Sequence, residues 1–264
     1  MRWATVYSYS FHILSGVRQG GLLSPVLFAI YMDVLIERLR SCGLGCRLLD
    51  DFYGCLLYAD DIVLLSHSLN AIRIMLDICD KFAIDFDVKF NSSKSVVMRI
   101  GPRFDVTCAP LFLCGCELKF VSSVKYLGVC LVAGKCFRCS VEHIKMKFYR
   151  VFNAIYSKSK GVNSELVTVE LLKSYCLPFI MYATEAVSLS RSTVNMLDNC
   201  INSALYRIFH VDHQHLLLLR QCLNIPFLML TIQKRKDKFM NSLLKLPDYK
   251  LVLAVDAQNV FSGS

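Results

Sequence analysis

Two short apolar runs meet at a pair of acids. Cys55 to Tyr58 and Ile62 to Leu65 are separated only by Ala59-Asp60-Asp61. Such runs on either side of a short polar break read as the strands of a buried β-hairpin with the acids at its turn. Adjacent carboxylates held against apolar flanks are costly unless they are paired or bind a metal. A divalent cation offsets that cost, and hard oxygen ligands suit Mg²⁺ or Mn²⁺. The plainer reading is a solvated hairpin tip, where acids are common. Tyr58-Ala59-Asp60-Asp61 on its own leaves both open.

The flanking pattern places this hairpin in a mixed unit. Thr5 to Ile13 carries Val6, Tyr7, Tyr9 and Phe11 and reads as a strand. Ser15-Gly16 and Gly20-Gly21 bracket a loop. Ser24-Pro25 then opens a helix to about Arg40, with Ser24 as cap and Pro25 at the first helical position. Leu27, Ile30, Tyr31, Val34, Leu35 and Leu39 form its apolar stripe. Gly43 and Gly45 end it. A second helix is expected from Asn70 to Phe82, with Ile72, Met75, Leu76, Cys79 and Phe82 at helical spacing. Val88 to Ile100 and Phe120 to Leu131 read as strands or hairpins. From about Ser140 the pattern is mainly helical, which sets a boundary near residue 135.

Composition narrows the class. Apolar residues make up 55% of the 264 and charged residues 19%, so the chain is not disordered. Leu216 to Ile232 is the most membrane-like stretch, but Arg220 and Pro226 interrupt it. No apolar run reaches the roughly 18 residues that a span needs. The N-terminus lacks the long apolar core of a signal peptide. We therefore expect an intracellular chain, in nucleus or cytoplasm, with no membrane partner. The high apolar content suggests a fragment whose exposed apolar face meets further protein. The formal charge of +9 is compatible with a polyanionic partner. Thirteen cysteines without a secretory signal read as reduced thiols. Cys114-Gly115-Cys116 and Cys136-Phe137-Arg138-Cys139 offer four thiolates to zinc, but Cys-x-Cys is a less usual arm and Cys is abundant here. His210, His213 and His215, beside Asp212, read as a solvated turn at a helix end.

The loop before the first helix adds chemistry. In Gly16-Val17-Arg18-Gln19-Gly20-Gly21, glycines let backbone approach a ligand. Arg18 can contact phosphate and Gln19 can hydrogen-bond a base or sugar. Taken alone, it reads as a Gly-rich turn with a solvated Arg.

Taken together, the blocks resemble the reverse transcriptase of non-LTR (LINE-type) retrotransposons. Gly16 to Phe28 followed by Tyr58-Ala59-Asp60-Asp61 is similar to the core of that family. Val88-Lys89-Phe90-Asn91-Ser92-Ser93-Lys94-Ser95 resembles the segment after its catalytic hairpin and helix. Val124-Lys125-Tyr126-Leu127-Gly128 resembles the hairpin that grips the primer end. Tyr175-Cys176-Leu177-Pro178-Phe179-Ile180-Met181-Tyr182 is similar to the helical region that follows. The resemblance covers most of residues 10 to 210.

The resemblance implies an α+β chain: a partial polymerase palm over residues 1–135, an antiparallel sheet with packed helices, then a helical thumb-like region over 136–264. It implies templated DNA synthesis on RNA by two-metal phosphoryl transfer, with an RNA template, a DNA primer and deoxynucleoside triphosphates as partners. Asp60 would be the main ligand to Mg²⁺ or Mn²⁺, with Asp61 assisting. Tyr58 and Ala59 would lie beside the primer end. Arg18, Gln19 and Gly20 would line the incoming nucleotide and template. Tyr126, Leu127 and Gly128 would contact the primer, and Lys94 would bring positive charge or a proton to the pyrophosphate. A solvated lysine at a strand edge is the plain alternative for Lys94. The thumb-like helices would follow the duplex by shape and phosphate contacts.

The family uses a third carboxylate on an upstream strand, and Met1 to Ser15 contain no Asp or Glu. Asp33, Asp50 and Asp51 do not occupy its place. We therefore expect these residues to lack the N-terminal palm and the fingers, and to polymerise little by themselves. The alternatives are a non-catalytic nucleic-acid-binding remnant, whose binding would weaken steeply with salt, and a Cys-rich zinc module.

Overall fold

Pro25 opens the first long helix. α1 runs Ser24–Ser41 with Pro25 in its first turn, where its missing N–H has no helical partner to lose. Ser24 is the first helical residue, and Leu23 takes the cap position without a side-chain bond. The structure is a computed structural model that describes residues 2, 3, 5–7, 9, 20–159, 161, 164–212 and 214–245. It is an α+β fold of small, mostly antiparallel sheets and eight α-helices among the described residues. It divides into two compact units, Met1–Ser95 with Ala109–Leu118, and Val96–Cys108 with Lys119–Ser264. The units thus part well before residue 135, and the Lys119–Ser264 segment carries both strands and helices.

In the first unit, Arg2–Trp3 pairs with Val6–Tyr7. The rest of the expected Thr5 to Ile13 strand lies largely outside the described residues. α1 buries Met32, Leu35 and Leu39, whereas Leu27, Ile30, Tyr31 and Val34 of its expected stripe stay exposed. α2 (Leu69–Asp85) is longer than expected and buries Ala71, Met75, Leu76, Cys79 and Phe82, one face at helical spacing. The Tyr31 hydroxyl donates to the Phe86 carbonyl, and the Phe82 and Phe86 rings stack at 4.5 Å. Arg38 pairs with Asp85 at 2.6 Å and lies over the Phe86 ring.

The expected strand over Val88 to Ile100 contracts to Val96–Val97. Asn91 is the reason. Its side-chain oxygen accepts from the Ser93 hydroxyl at 2.7 Å and from the Lys94 N–H at 3.2 Å, which bends the chain into a turn.

In the second unit, Val96–Val97 pairs in parallel with Lys119–Phe120. Ser123–Tyr126, Val129–Val132 and Arg138–Ser140 form an antiparallel sheet. The helices are α3 (Glu142–Ser159), α4 (Glu165–Leu171), α5 (Leu177–Met181), α6 (Arg191–Phe209), α7 (Leu216–Cys222) and α8 (Leu228–Leu243). α4 continues into α5 through a π turn, Leu172–Cys176. Pro178 explains that turn: it brings no N–H to the helix ladder and crowds the carbonyl four residues back. Phe148, Phe152, Leu172, Ile180, Leu197 and Leu205 are buried together in the core.

The stretch Leu216 to Ile232 is split between α7 and α8, and the cation inside it is the linchpin. Arg220 is 2% exposed. It donates to both Asp198 carboxylate oxygens at 2.9 Å, to the Asn202 side chain, and to the Ile225 and Pro226 carbonyls. Asp198 also accepts from the N–H of Leu228, the first residue of α8. Among the described residues, no helix is long and apolar enough to cross a membrane.

Candidate active site

The acids do sit on a hairpin turn. Cys55–Tyr58 pairs with Asp61–Leu64, and Tyr58 faces Asp61. Ala59 and Asp60 are the two connecting residues, and Ala59 takes φ +51°, a left-handed conformation usually given to glycine. A non-glycine residue held there is strained, and such strain gathers at functional positions.

The hairpin is less buried than its hydropathy suggests. Leu56 and Tyr58 are exposed, Cys55, Leu57, Ile62, Val63 and Leu64 are half-buried, and Ala59, Asp60 and Asp61 lie open at the tip. The expected cost of carboxylates pressed against buried flanks is therefore not what the structure shows. Short apolar runs identify strands, but they do not say whether the second face is covered. The root is tighter. Leu65 N–H donates to the Gly54 carbonyl at 2.7 Å and Cys46 N–H to the Leu65 carbonyl at 2.9 Å. A Cβ on Gly54 would meet the Phe52 ring at 2.4 Å and the Gly45 Cα at 3.0 Å. Gly45 takes φ +98°. Here two glycines let backbones touch. Burial pushes the Cys55 thiol at this root up to about 11.

No ion pair among the described residues engages Asp60 or Asp61. Their open carboxylates are hard oxygen donors of the kind that fit Mg²⁺ or Mn²⁺. They are two candidate donors: among the described residues, no group of three or more His, Cys, Asp or Glu is assembled to hold a metal ion.

A second hairpin carries the other turn. Tyr126 faces Val129, so Leu127-Gly128 is a two-residue connection. Both take positive φ, +45° and +82°, the signature of a type I′ turn. Leucine is an unusual occupant of its first position.

Residues 4–131 match a family model described as reverse transcriptase (RNA-dependent DNA polymerase). The match to the reverse transcriptase family thus spans just under half of the chain. The chain is 30% identical over 148 residues to the retrovirus-related Pol polyprotein from type-2 retrotransposable element R2DM of Drosophila melanogaster. It is 24% identical over 150 residues to a putative 115 kDa protein in type-1 retrotransposable element R1DM of the same organism. These alignments cover 53% and 54% of this chain, and 14% of each relative. These alignments thus support the resemblance to retrotransposable elements over about half of this chain.

The remaining residues read for a reverse transcriptase role fall unevenly. Arg18 and Gln19 lie outside the described residues. Gly20 is a turn glycine at φ +77°, and among the described residues nothing lies within 4 Å of a Cβ placed there. Lys94 is exposed on the Asn91 turn and not on a strand edge. Asp33 is exposed on α1, Asp50 is in a turn, and Asp51 begins a short strand opposite Leu48. Asp60 and Asp61 are in the first compact unit, and Tyr126, Leu127 and Gly128 in the second.

The Cys-Gly-Cys segment has a different explanation from zinc. Cys114 and Gly115 connect Phe112–Leu113 to Cys116–Glu117, both at positive φ, and the Cys114 N–H donates to Asp80 at 2.8 Å. It is a hairpin turn docked on α2. His213 lies outside the described residues; His210 caps α6 in a left-handed conformation. Sequence reading missed the partners of the Leu127-Gly128 turn, Tyr182 and His143. The one local signal for them was a leucine where a type I′ turn favours Asn, Asp or Gly.

Proposed function

We propose that the chain contributes to RNA-directed DNA synthesis by two-metal nucleotidyl transfer, as part of a retrotransposon reverse transcriptase. The observation that carries this reading is the Asp60-Asp61 pair, presented open on a strained hairpin turn within the family-matched region. Asp60 would hold Mg²⁺ or Mn²⁺, and Asp61 would assist. When bound, the ions lower the pKa of the primer hydroxyl and stabilise the departing pyrophosphate. Tyr58 and Ala59 flank the primer end. Gly20, with Arg18 and Gln19, lines the nucleotide and template. Lys94 brings positive charge to the pyrophosphate. Tyr126, Leu127 and Gly128 meet the primer strand. The partners are RNA template, DNA primer, deoxynucleoside triphosphates and the N-terminal palm and fingers, in nucleus or cytoplasm. These 264 residues supply two of the three family carboxylates, so we expect little synthesis from them alone.

The test is primer extension on an RNA template with Mg²⁺, run on the longest in-frame protein that carries these residues. Asp60→Ala should lower incorporation by about a thousandfold or more, because charge stabilisation dominates such transfers. Equal incorporation by wild type and variant overturns the reading. Salt-sensitive duplex binding without incorporation favours the non-catalytic alternative.

A further inference from the structure

The Leu127-Gly128 turn is held from beyond its own hairpin. Tyr182, the residue after α5, donates its hydroxyl to the Leu127 carbonyl at 2.8 Å. Its ring lies against Gly128: a Cβ there would stand 2.8 Å from Tyr182 Cε1 and 3.2 Å from the hydroxyl oxygen. A side chain at 128 would therefore collide with the ring. His143, in the first turn of α3, places Nε2 3.3 Å from the Gly128 carbonyl. A carbonyl only accepts, so we assign the proton to Nε2. The other ring nitrogen, Nδ1, is buried without a hydrogen-bond partner among the described residues. The turn thus receives one bond at each of its two carbonyls.

Tyr182 is itself anchored. The helix that delivers it ends there, with Tyr182 in an extended conformation and Ala183 at φ +58°. Thr184, 2% exposed, bonds back to the Met181 carbonyl at 2.9 Å. Glu185 accepts two bonds from Arg235 of α8, at 2.7 and 3.2 Å. A continuous set of contacts runs from α8 through this loop to the turn. Leucine in a left-handed conformation is costly, and such backbone persists where its surroundings over-determine it.

We propose that Tyr182 is a positioning residue: its hydroxyl and ring fix the Leu127-Gly128 turn and thereby the place where the primer terminus rests. This rests on the reading of that turn as primer-contacting. His143 is the secondary brace.

Two measurements on wild type and Tyr182→Phe test it, on the longest in-frame protein. The first is amide hydrogen exchange at Leu127 to Cys130. Removing one hydrogen bond should speed it roughly fivefold, with the thermal midpoint lowered by no more than a few degrees. The second is photo-crosslinking from a primer whose 3′-terminal base is 4-thiothymine, annealed to an RNA template. Wild type should crosslink within Tyr126 to Gly128. Tyr182→Phe should lose most of that yield while total duplex binding stays constant, a split that general destabilisation would not give. Unchanged exchange overturns the brace and leaves the primer reading standing. Faster exchange with an undiminished crosslink shows a structural contact only and overturns the positioning role. A wild-type crosslink that falls elsewhere sinks the primer reading and the positioning role with it.

Discussion

The Ala59-Asp60 and Leu127-Gly128 hairpins both end in strained two-residue turns, and they are built in opposite ways. Ala59-Asp60 is tight at its root and open at its tip. The Gly45 and Gly54 backbones touch below it, while no ion pair among the described residues reaches its carboxylates. Leu127-Gly128 is held at the tip itself, by Tyr182 and His143. The difference follows from what each turn presents. On the proposed reading, carboxylates offered to a cation must keep their oxygens free, so rigidity has to come from the strands beneath. A turn that offers only backbone and an apolar side chain can be clasped directly.

This contrast can be broken first at the acids. Asp60→Ala should cost about a thousandfold in incorporation, because it removes charge stabilisation itself. Leu127→Gly should cost less than about tenfold, because it removes contact area and strain but no charge. Primer extension on both variants compares them directly. A larger loss at Leu127 would mean that the clasped turn, not the open one, dominates the chemistry.

The second break concerns what holds the clasp. The second unit depends on a buried polar knot, Arg220 with Asp198. Asp198→Ala strands a buried guanidinium and removes the acceptor at the start of α8. It should destabilise the unit by about 3–5 kcal/mol, the usual result of removing one partner of a buried pair. A urea midpoint unchanged within error would show that water replaces Asp198 at no cost. Exchange at Leu57 to Leu64, in the other unit, should stay as in wild type.

These two elements also show how far the sequence could be read. The acidic hairpin was legible because its strands are contiguous apolar runs and its acids are adjacent. α1 was legible through Pro25, and α2 through helical spacing. Arg220 was not, because a cation inside an apolar stretch reads as an interruption. Its partner Asp198 lies 22 residues earlier, and no local pattern says which helical turns meet. Tyr182 and Leu127 are 55 residues apart, and their contact was equally invisible. The cysteine pair at 114 and 116 could not be placed on a hairpin, because spacing alone cannot separate a metal loop from a type I′ turn.

A smaller effect is expected at the root of the open hairpin. In Gly54→Ala the new methyl meets the Phe52 ring, which can move, and the Gly45 backbone, which cannot move cheaply. Overpacking of this kind costs about 1–3 kcal/mol. Amide exchange over Cys55 to Leu64 should accelerate. Little change would mean that the Phe52 ring gives way and that the tip needs no rigid root.

The smallest effect separates the cores from the tips by pH. Burial pushes the Cys79 thiol up to about 12, with neighbouring charge from Cys55, Asp80 and Cys114 adding to it, and burial pushes Cys176 up to about 11. Both thiols are buried, one in each unit. Raised values in the folded state mean that the unfolded chain loses these protons first as pH rises. Their contribution is complete below the ordinary thiol range near 9 and is lost as pH climbs through 11 to 12. At pH 9 the loss is only about 1 kcal/mol or less for the pair. Urea unfolding at pH 7 and pH 9 should show this slope, and Cys79→Ala with Cys176→Ala should flatten it even though the cavities lower stability at both pH values. An unaltered slope in the double variant would assign the alkaline loss to groups outside the two cores.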